Sequence, residues 1–200
     1  MSFPILGLTG PSGAGKGVVA QRLRDVHGFA WIDTDQVYHT LTSTPSPCLD
    51  ELAAAFGAGV IHDGALDRKA LAAIVFAPDA KDKLELLNRI THKHVLAVTA
   101  QNVREAELDG ARGAIIDAPL LFESGADAMC TQTVAVIADK ETRTKRIMIR
   151  DNLSIEQAQA RLDAQKPDTY YCEKADFIIE NCGDLQAVLT YADALVKELL

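Results

Sequence analysis

"FPILGLTGPSGAGKG", residues 3–17, decides the architecture. An apolar run, "FPILGLT", leads into Gly10, four spacers, Gly15 and Lys16. This is the spacing of a phosphate-binding loop. Its glycines let successive main-chain N–H groups converge on phosphate oxygens, and the helix that follows presents its positive end. The lysine reaches the outer phosphates as a compact cation. The context is the required one, a strand before the loop and a helical period after it. Gly10, Ser12, Gly13, Ala14, Gly15, Lys16, Gly17 and Val18 are therefore candidate nucleotide contacts, with Lys16 in a catalytic role. The competing reading is a glycine-rich strand-to-helix turn with an ordinary surface lysine.

One letter departs from the pattern. The position after the lysine ordinarily supplies a Ser or Thr hydroxyl to Mg²⁺, and here it is Gly17, followed by Val18. Mg²⁺ keeps several waters and needs few direct protein ligands, so a carboxylate acting through water is expected to substitute.

Working outward, the first helix is expected to run from within the loop to about His27. Val19, Leu23 and Val26 share one face, and Gly28 ends it. Further strands are expected at 29–33 "FAWID", 113–118 "GAIIDA", 132–138 "QTVAVIA" and 176–180 "DFIIE". Their continuous hydrophobicity suits strands covered on both faces, which predicts an α/β fold with a mainly parallel sheet flanked by helices. Between Asp35 and Leu108 no strand is expected. One helix is predicted from Asp67, an N-capping residue, with Leu71, Ile74 and Val75 inward. Another runs from about Asp79 to Leu108, bent near "THKH". A last helix, about 185–199, carries Val188, Leu189, Ala192, Leu195 and Leu199 along a stripe. The expected organisation is a single domain: a core of about 1–35, 110–139 and 176–200, a helical substrate-binding insertion of about 36–109, and a helical lid of about 140–170. Such an insertion sits over the C-terminal strand edge, where ligands bind.

Composition sets limits. A 200-residue chain, 48% hydrophobic, buries a proper core. Its net charge of −8 argues against a nucleic-acid or membrane-surface partner. It does not exclude a small anion, since local lysines and backbone N–H groups outweigh a distant field. The sequence shows neither a signal peptide nor an apolar run of membrane-spanning length. The four cysteines, Cys48, Cys130, Cys172 and Cys182, form no CxxC, which points to reduced thiols and a cytoplasmic location. A monomer or weak homo-oligomer is expected.

Two acidic sites close strands. Asp33 ends "WIDTD"; if strands one and two are neighbours, it faces the phosphate loop and is placed to accept a hydroxyl proton. Otherwise it caps the helix beginning at Thr34. Asp35 is a second candidate. Asp117, in "AIIDAPLLFE", follows an apolar strand and is the candidate to hold Mg²⁺ through water, or else a strand-end cap. Pro119 fixes the loop after it, and Glu123 is either a ligand contact or a surface ion pair.

In order and spacing, "GLTGPSGAGKG", "IDTD", "FGAGVI", "DGALDRKAL", "LNRITHKHV", "DAPLLFE", "RIMIRDNLS", "AQK" and "ADFIIENCG" resemble the dephospho-coenzyme A kinase family across nearly the whole chain. The resemblance implies ATP-dependent phosphorylation of the ribose 3′-hydroxyl of dephospho-CoA, giving CoA and ADP, with Mg²⁺. It matches Asp33 to the aspartate acting on that hydroxyl. Arg68 and His92 match the CoA side; with Asp35, Pro119 and Leu120 they form the expected substrate-binding set. Arg146 and Arg150 match lid arginines that clamp phosphates, and Asn181 matches a position near the adenine. Without the resemblance, Arg68 reads as a helix-surface residue, His92 as packing or ligand contact, "RTKRIMIRD" as a solvated basic face, and Asn181 as a turn residue. This chain departs from the family at Gly17, at Thr34 in the usual D-A-D, at His39 for an arginine and at Lys93 for a proline. Alternatives are a phosphate-loop kinase acting on another small alcohol or a nucleoside monophosphate, and a non-catalytic ATP-binding protein.

Overall fold

The five expected strands all form in the computed structural model, which describes residues 3–199 and side chains through Glu198. They are β1 (Ile5–Thr9), β2 (Phe29–Asp33) and, after a short hairpin of β3 (Ile61–His62) and β4 (Ala65–Leu66), β5 (Gly113–Asp117), β6 (Gln132–Ile137) and β7 (Phe177–Glu180). The helices are α1 (Lys16–His27), α2 (Thr34–Ser43), α3 (Pro47–Phe56), α4 (Arg68–Val75), α5 (Lys81–Leu108), α6 (Leu121–Ser124), α7 (Lys140–Asp151), α8 (Ile155–Asp163), α9 (Asp168–Cys172) and α10 (Leu185–Leu199). The chain divides into two compact units, Met1–Ile32 with Val103–Leu200, and Asp33–Asn102.

In the first unit the strand order is β2-β5-β1-β6-β7. β1 pairs in parallel with β5 on one side and β6 on the other, and β6 with β7. Leu6, Leu8, Ile115, Ile116, Val134 and Val136 have no exposure, as two-sided cover requires. The condition that β1 and β2 are neighbours is not met, because β5 lies between them. The reason is burial. β5 is buried along its whole length and takes the place beside β1, whereas β2 has half-buried Ala30 and Trp31 and an exposed Asp33, and takes the edge.

Helix α1 ends as expected at Gly28, whose φ of 71° lets its N–H reach back to the carbonyls of Arg24 and Leu23. Val19, Ala20 and Leu23 are buried, but Val26 is 53% exposed, contrary to expectation. Val19 and Leu23 share their side of α1 with Arg22 and His27, which meet α10. There Asp193 accepts hydrogen bonds from Arg22 and from the His27 ring, at 2.8–2.9 Å and 2.7 Å. Both partners hold its carboxyl well below the usual range. Val188, Ala192, Leu195 and Val196 of α10 are buried and Leu189 is half-buried; the side chain of Leu199 lies outside the described residues.

The second unit has its own core of Cys48, Leu49, Leu52, Val60, Leu66, Leu71, Val75 and Ile90, with Ile74 at its margin. Asp67 caps α4 by accepting from the N–H groups of Lys69 and Ala70. The hairpin β3–β4 corrects the all-helical expectation for this segment. Its turn is Asp63-Gly64, with φ of 49° and 76°, and an Asp-Gly pair is a strong short-range hairpin signal. Each strand is only two residues long, too short for an alternating pattern to register. Helix α5 runs unbroken through 91–94, where Lys93 supplies the N–H that a proline would lack.

Candidate active site

Helix α1 begins at the phosphate loop with Gly15 as its N-cap, in the left-handed region at φ 100°, with no side-chain cap and no acidic residue in the first turn. The positive pole of this 12-residue helix thus meets no capping side chain and no acidic residue of its own first turn. Close approach constrains the loop glycines. A Cβ at Gly10, where φ is 134°, would lie 2.1 Å from the carbonyl oxygen of Val136 in β6. One at Gly15 would lie 2.2 Å from Nδ2 of Asn181. Lys16 Nζ donates to the carbonyl of Gly10 at 3.0 Å, bridging the mouth of the loop. Gly10→Ala is expected to push the loop off β6 and lower turnover about 10²-fold, the scale of a 1 Å misplacement. Steady-state kinetics beside a thermal melt checks this, and wild-type rates would show that the close approach is not needed.

Helix α7 braces the loop with one stripe of arginines. Arg146 Nη1 donates to the carbonyls of Gly13 and Ala14, each at 3.2 Å, and its Nη2 to Asn181 Oδ1 at 3.0 Å. Asn181, 3% exposed at the end of β7, returns a bond from Nδ2 to the Ala14 carbonyl at 2.8 Å. Arg150 forks onto Asp151 with two 2.8 Å bonds and reaches Ser12 Oγ at 3.3 Å. That guanidinium, followed by Arg161, holds the Asp151 carboxyl below its ordinary range. Arg146, Arg150, Asn181 and the loop residues 12–15 are therefore brought together directly. Arg143, which sequence reasoning passed over, also bonds here: to Ser12 O, Gln165 Oε1 and Asp168 Oδ1. A signal was present, since 143, 146 and 150 follow helical i, i+3, i+7 spacing.

Asp117, 8% exposed at the end of β5, is level with Leu8 of β1 just before the loop. Pro119 follows, its carbonyl accepting from Thr9 Oγ1 at 3.4 Å, and Leu120 is 52% exposed. The Thr9 hydroxyl thus donates to the Pro119 carbonyl, and the Ser12 hydroxyl accepts from Arg150. A Cβ at Gly17 would meet nothing within 4 Å. Among the described residues no group of three His, Cys, Asp or Glu side chains can hold a metal ion by itself. One buried carboxylate beside a phosphate loop instead fits Mg²⁺, which takes most of its ligands from water and a triphosphate.

Asp33, Asp35, Arg68 and His92 belong to the unit Asp33–Asn102. Asp33 Oδ1 accepts from the N–H of Asp35 at 2.9 Å and of Gln36 at 3.1 Å, so it does cap α2. Arg68 opens α4, donating to Thr42 Oγ1 at 3.4 Å with its guanidinium 5.3 Å from the centre of the Tyr38 ring. His92 is half-buried on α5; its neighbours Lys93 and His94 both bond to Glu51.

The family whose model matches the chain is dephospho-CoA kinase, over residues 4–187. A curated relative from Corynebacterium glutamicum, named dephospho-CoA kinase, is 37% identical over 196 residues, covering 98% of this chain and 96% of its own. A crystal structure titled TT1252 from Thermus thermophilus superposes with a TM-score of 0.81 at 32% identity, covering all of both chains. The structure titled dephospho-CoA kinase from Campylobacter jejuni gives 0.67 at 28%, covering 97% and 96%. A phosphate loop on a parallel sheet, braced by arginines and matched along nearly the entire sequence, places this chain in the dephospho-CoA kinase family.

Proposed function

We propose that this protein transfers the γ-phosphoryl group of ATP to the 3′-hydroxyl of dephospho-CoA, giving CoA and ADP. The observation that carries the reading is the formed loop 10–17, with an uncapped helix N-terminus and Lys16 across its mouth, in a chain of this family. Phosphoryl transfer asks little covalent chemistry of a protein, so positioning and charge do the work. Lys16 and the loop amides hold the β- and γ-phosphates. Asp33 accepts the hydroxyl proton. Capping and base catalysis are compatible here, because both cap bonds fall on Oδ1 and pin the carboxylate in one rotamer. Arg146 and Arg150 place positive charge along the loop, and Arg68, His92, Asp35, Pro119 and Leu120 are assigned to the acceptor. Mg²⁺, when bound, neutralises charge developing between the phosphates, and Asp117 is the residue assigned to hold it through water.

No helix among the described residues is long and apolar enough to cross a membrane. A cytoplasmic location belongs to the same proposal, supported by four free thiols, with Cys130 pushed up to about 12 by burial. The deciding experiment is coupled ADP release with dephospho-CoA against a panel of nucleoside monophosphates, the product identified by mass. Phosphorylation of dephospho-CoA alone is expected. Equal rates across the panel, or ATP binding with no product, would overturn the reading.

The open space at Gly17 gives a gain-of-function test. Gly17→Ser adds a hydroxyl where Mg²⁺ is ordinarily met, in a position free of clash. The Mg²⁺ concentration for half-maximal rate is expected to fall about tenfold, the low end for a well-placed partner of a metal site. An unchanged Mg²⁺ titration would show that Asp117 and water already suffice.

A further inference from the structure

We propose that Arg143 and Gln165 are positioning residues that lock the phosphate loop at Ser12 before nucleotide arrives, and tie it to α9 through Asp168. The inference rests on the proposed function only in taking ATP as what the loop holds.

Ser12 lies within the loop, in a turn with no regular ladder to satisfy its backbone. Both of its main-chain groups are instead bonded by side chains distant in sequence. Its N–H donates to Gln165 Oε1 at 3.1 Å, and its carbonyl accepts from Arg143 Nε at 3.1 Å. Arg143 Nη2 then donates to the same Gln165 Oε1 at 3.0 Å, closing a ring of three residues. Arg143 Nη1 pairs with Asp168 Oδ1 at 2.8 Å, the second residue after Lys166 and the first of α9. Gly13 seats the loop on the same point: a Cβ there would lie 2.8 Å from the Arg143 carbonyl oxygen.

The burial of Arg143 makes this an arrangement and not a chance contact. Its residue is 6% exposed, and a guanidinium taken out of water is tolerated only when paired and fully hydrogen-bonded. Here all three nitrogens have acceptors, and one of these acceptors is the phosphate loop itself. With a donor of each nitrogen so engaged, Arg143 acts through the loop. A lysine in its place has no fork to meet Ser12, Gln165 and Asp168 together. A loop held in this way keeps its amides convergent without phosphate, so less ordering remains to be done on binding.

Two variants test the clip. Gln165→Leu removes the acceptor for Ser12 N–H and Arg143 Nη2 but keeps the ion pair to Asp168, so the fold is retained. Arg143→Lys keeps the charge and loses the fork. Each is measured by calorimetric ATP affinity without acceptor, by KM for ATP and for dephospho-CoA, by hydrogen exchange of the peptide spanning 9–18, and by thermal melting. Expected are about a tenfold weaker ATP affinity and a matching rise in KM for ATP. KM for dephospho-CoA is expected to stay unchanged, and loop amides to exchange faster in the nucleotide-free protein. Folded variants with wild-type ATP affinity and loop exchange would overturn the proposal, as would a lower melting temperature accompanied by no KM split. A wild type that binds ATP yet leaves dephospho-CoA untouched would overturn the proposed reaction and not the clip, whose readouts are ATP affinity and loop exchange.

Discussion

Asp33→Asn is expected to lower kcat by about 10²–10⁴-fold, the usual contribution of a positioned general base, while leaving the melting temperature nearly unchanged. The separation is possible because asparagine divides the cap that Asp33 forms from the proton acceptance proposed for it. Asparagine caps helices about as well as aspartate, and its side-chain oxygen still accepts from the N–H groups of Asp35 and Gln36. It carries no negative charge and takes up no proton at neutral pH. Asp33→Ala removes both functions and should add a destabilisation of about 1 kcal/mol from the lost cap. Steady-state kinetics with dephospho-CoA, set beside thermal melts of both variants, separates the two effects. A kcat within a few-fold of wild type in Asp33→Asn would leave Asp33 as a cap alone.

The second large effect is expected at Lys16. Lys16→Ala removes the cation proposed to follow the γ-phosphate and also the bond to the Gly10 carbonyl. Loss of one preorganised electrostatic donor costs about 10²–10³-fold in kcat, and the loop should lose ATP affinity as well. The fold should survive, because the loop is also held by Arg146 and Asn181 and by the close approach of Gly10 to β6. Lys16→Arg retains the charge but replaces a point cation with a planar fork, so only partial recovery is expected. Calorimetric ATP titration and single-turnover rates together check the assignment. Unimpaired turnover in Lys16→Ala would move the catalytic charge elsewhere.

Much of the site was legible because its chemistry is local. Gly10, Gly15, Lys16 and the helix after them form a contiguous device, and both glycines hold positive φ, 134° and 100°, a property of the backbone itself. The cap at Asp67 and the stop at Gly28 are local in the same sense. The position of β2 was not legible, because strand order depends on which strands bury both faces, a comparison across the whole sheet. Val26 failed for a related reason. Helical periodicity marks a face, but how much of that face is covered depends on partners distant in sequence, such as α10. The hairpin at 61–66 had its signal in Asp63-Gly64 but too few residues on either side for a period to show.

By itself the sequence determined that a strand, a glycine loop and a helix would make an anion site, and that alternating apolar runs would build a parallel sheet around it. These outcomes follow from backbone freedom at glycine and from the periods of strand and helix, both short-range properties. Tertiary structure alone decided how that site is held: Arg143, Gln165 and Asn181 reach Ser12 and Ala14 from more than 130 residues away. Hydrogen bonds between side chains and distant carbonyls leave no periodic trace along a chain, because they depend on which surfaces the packed sheet brings within about 3 Å.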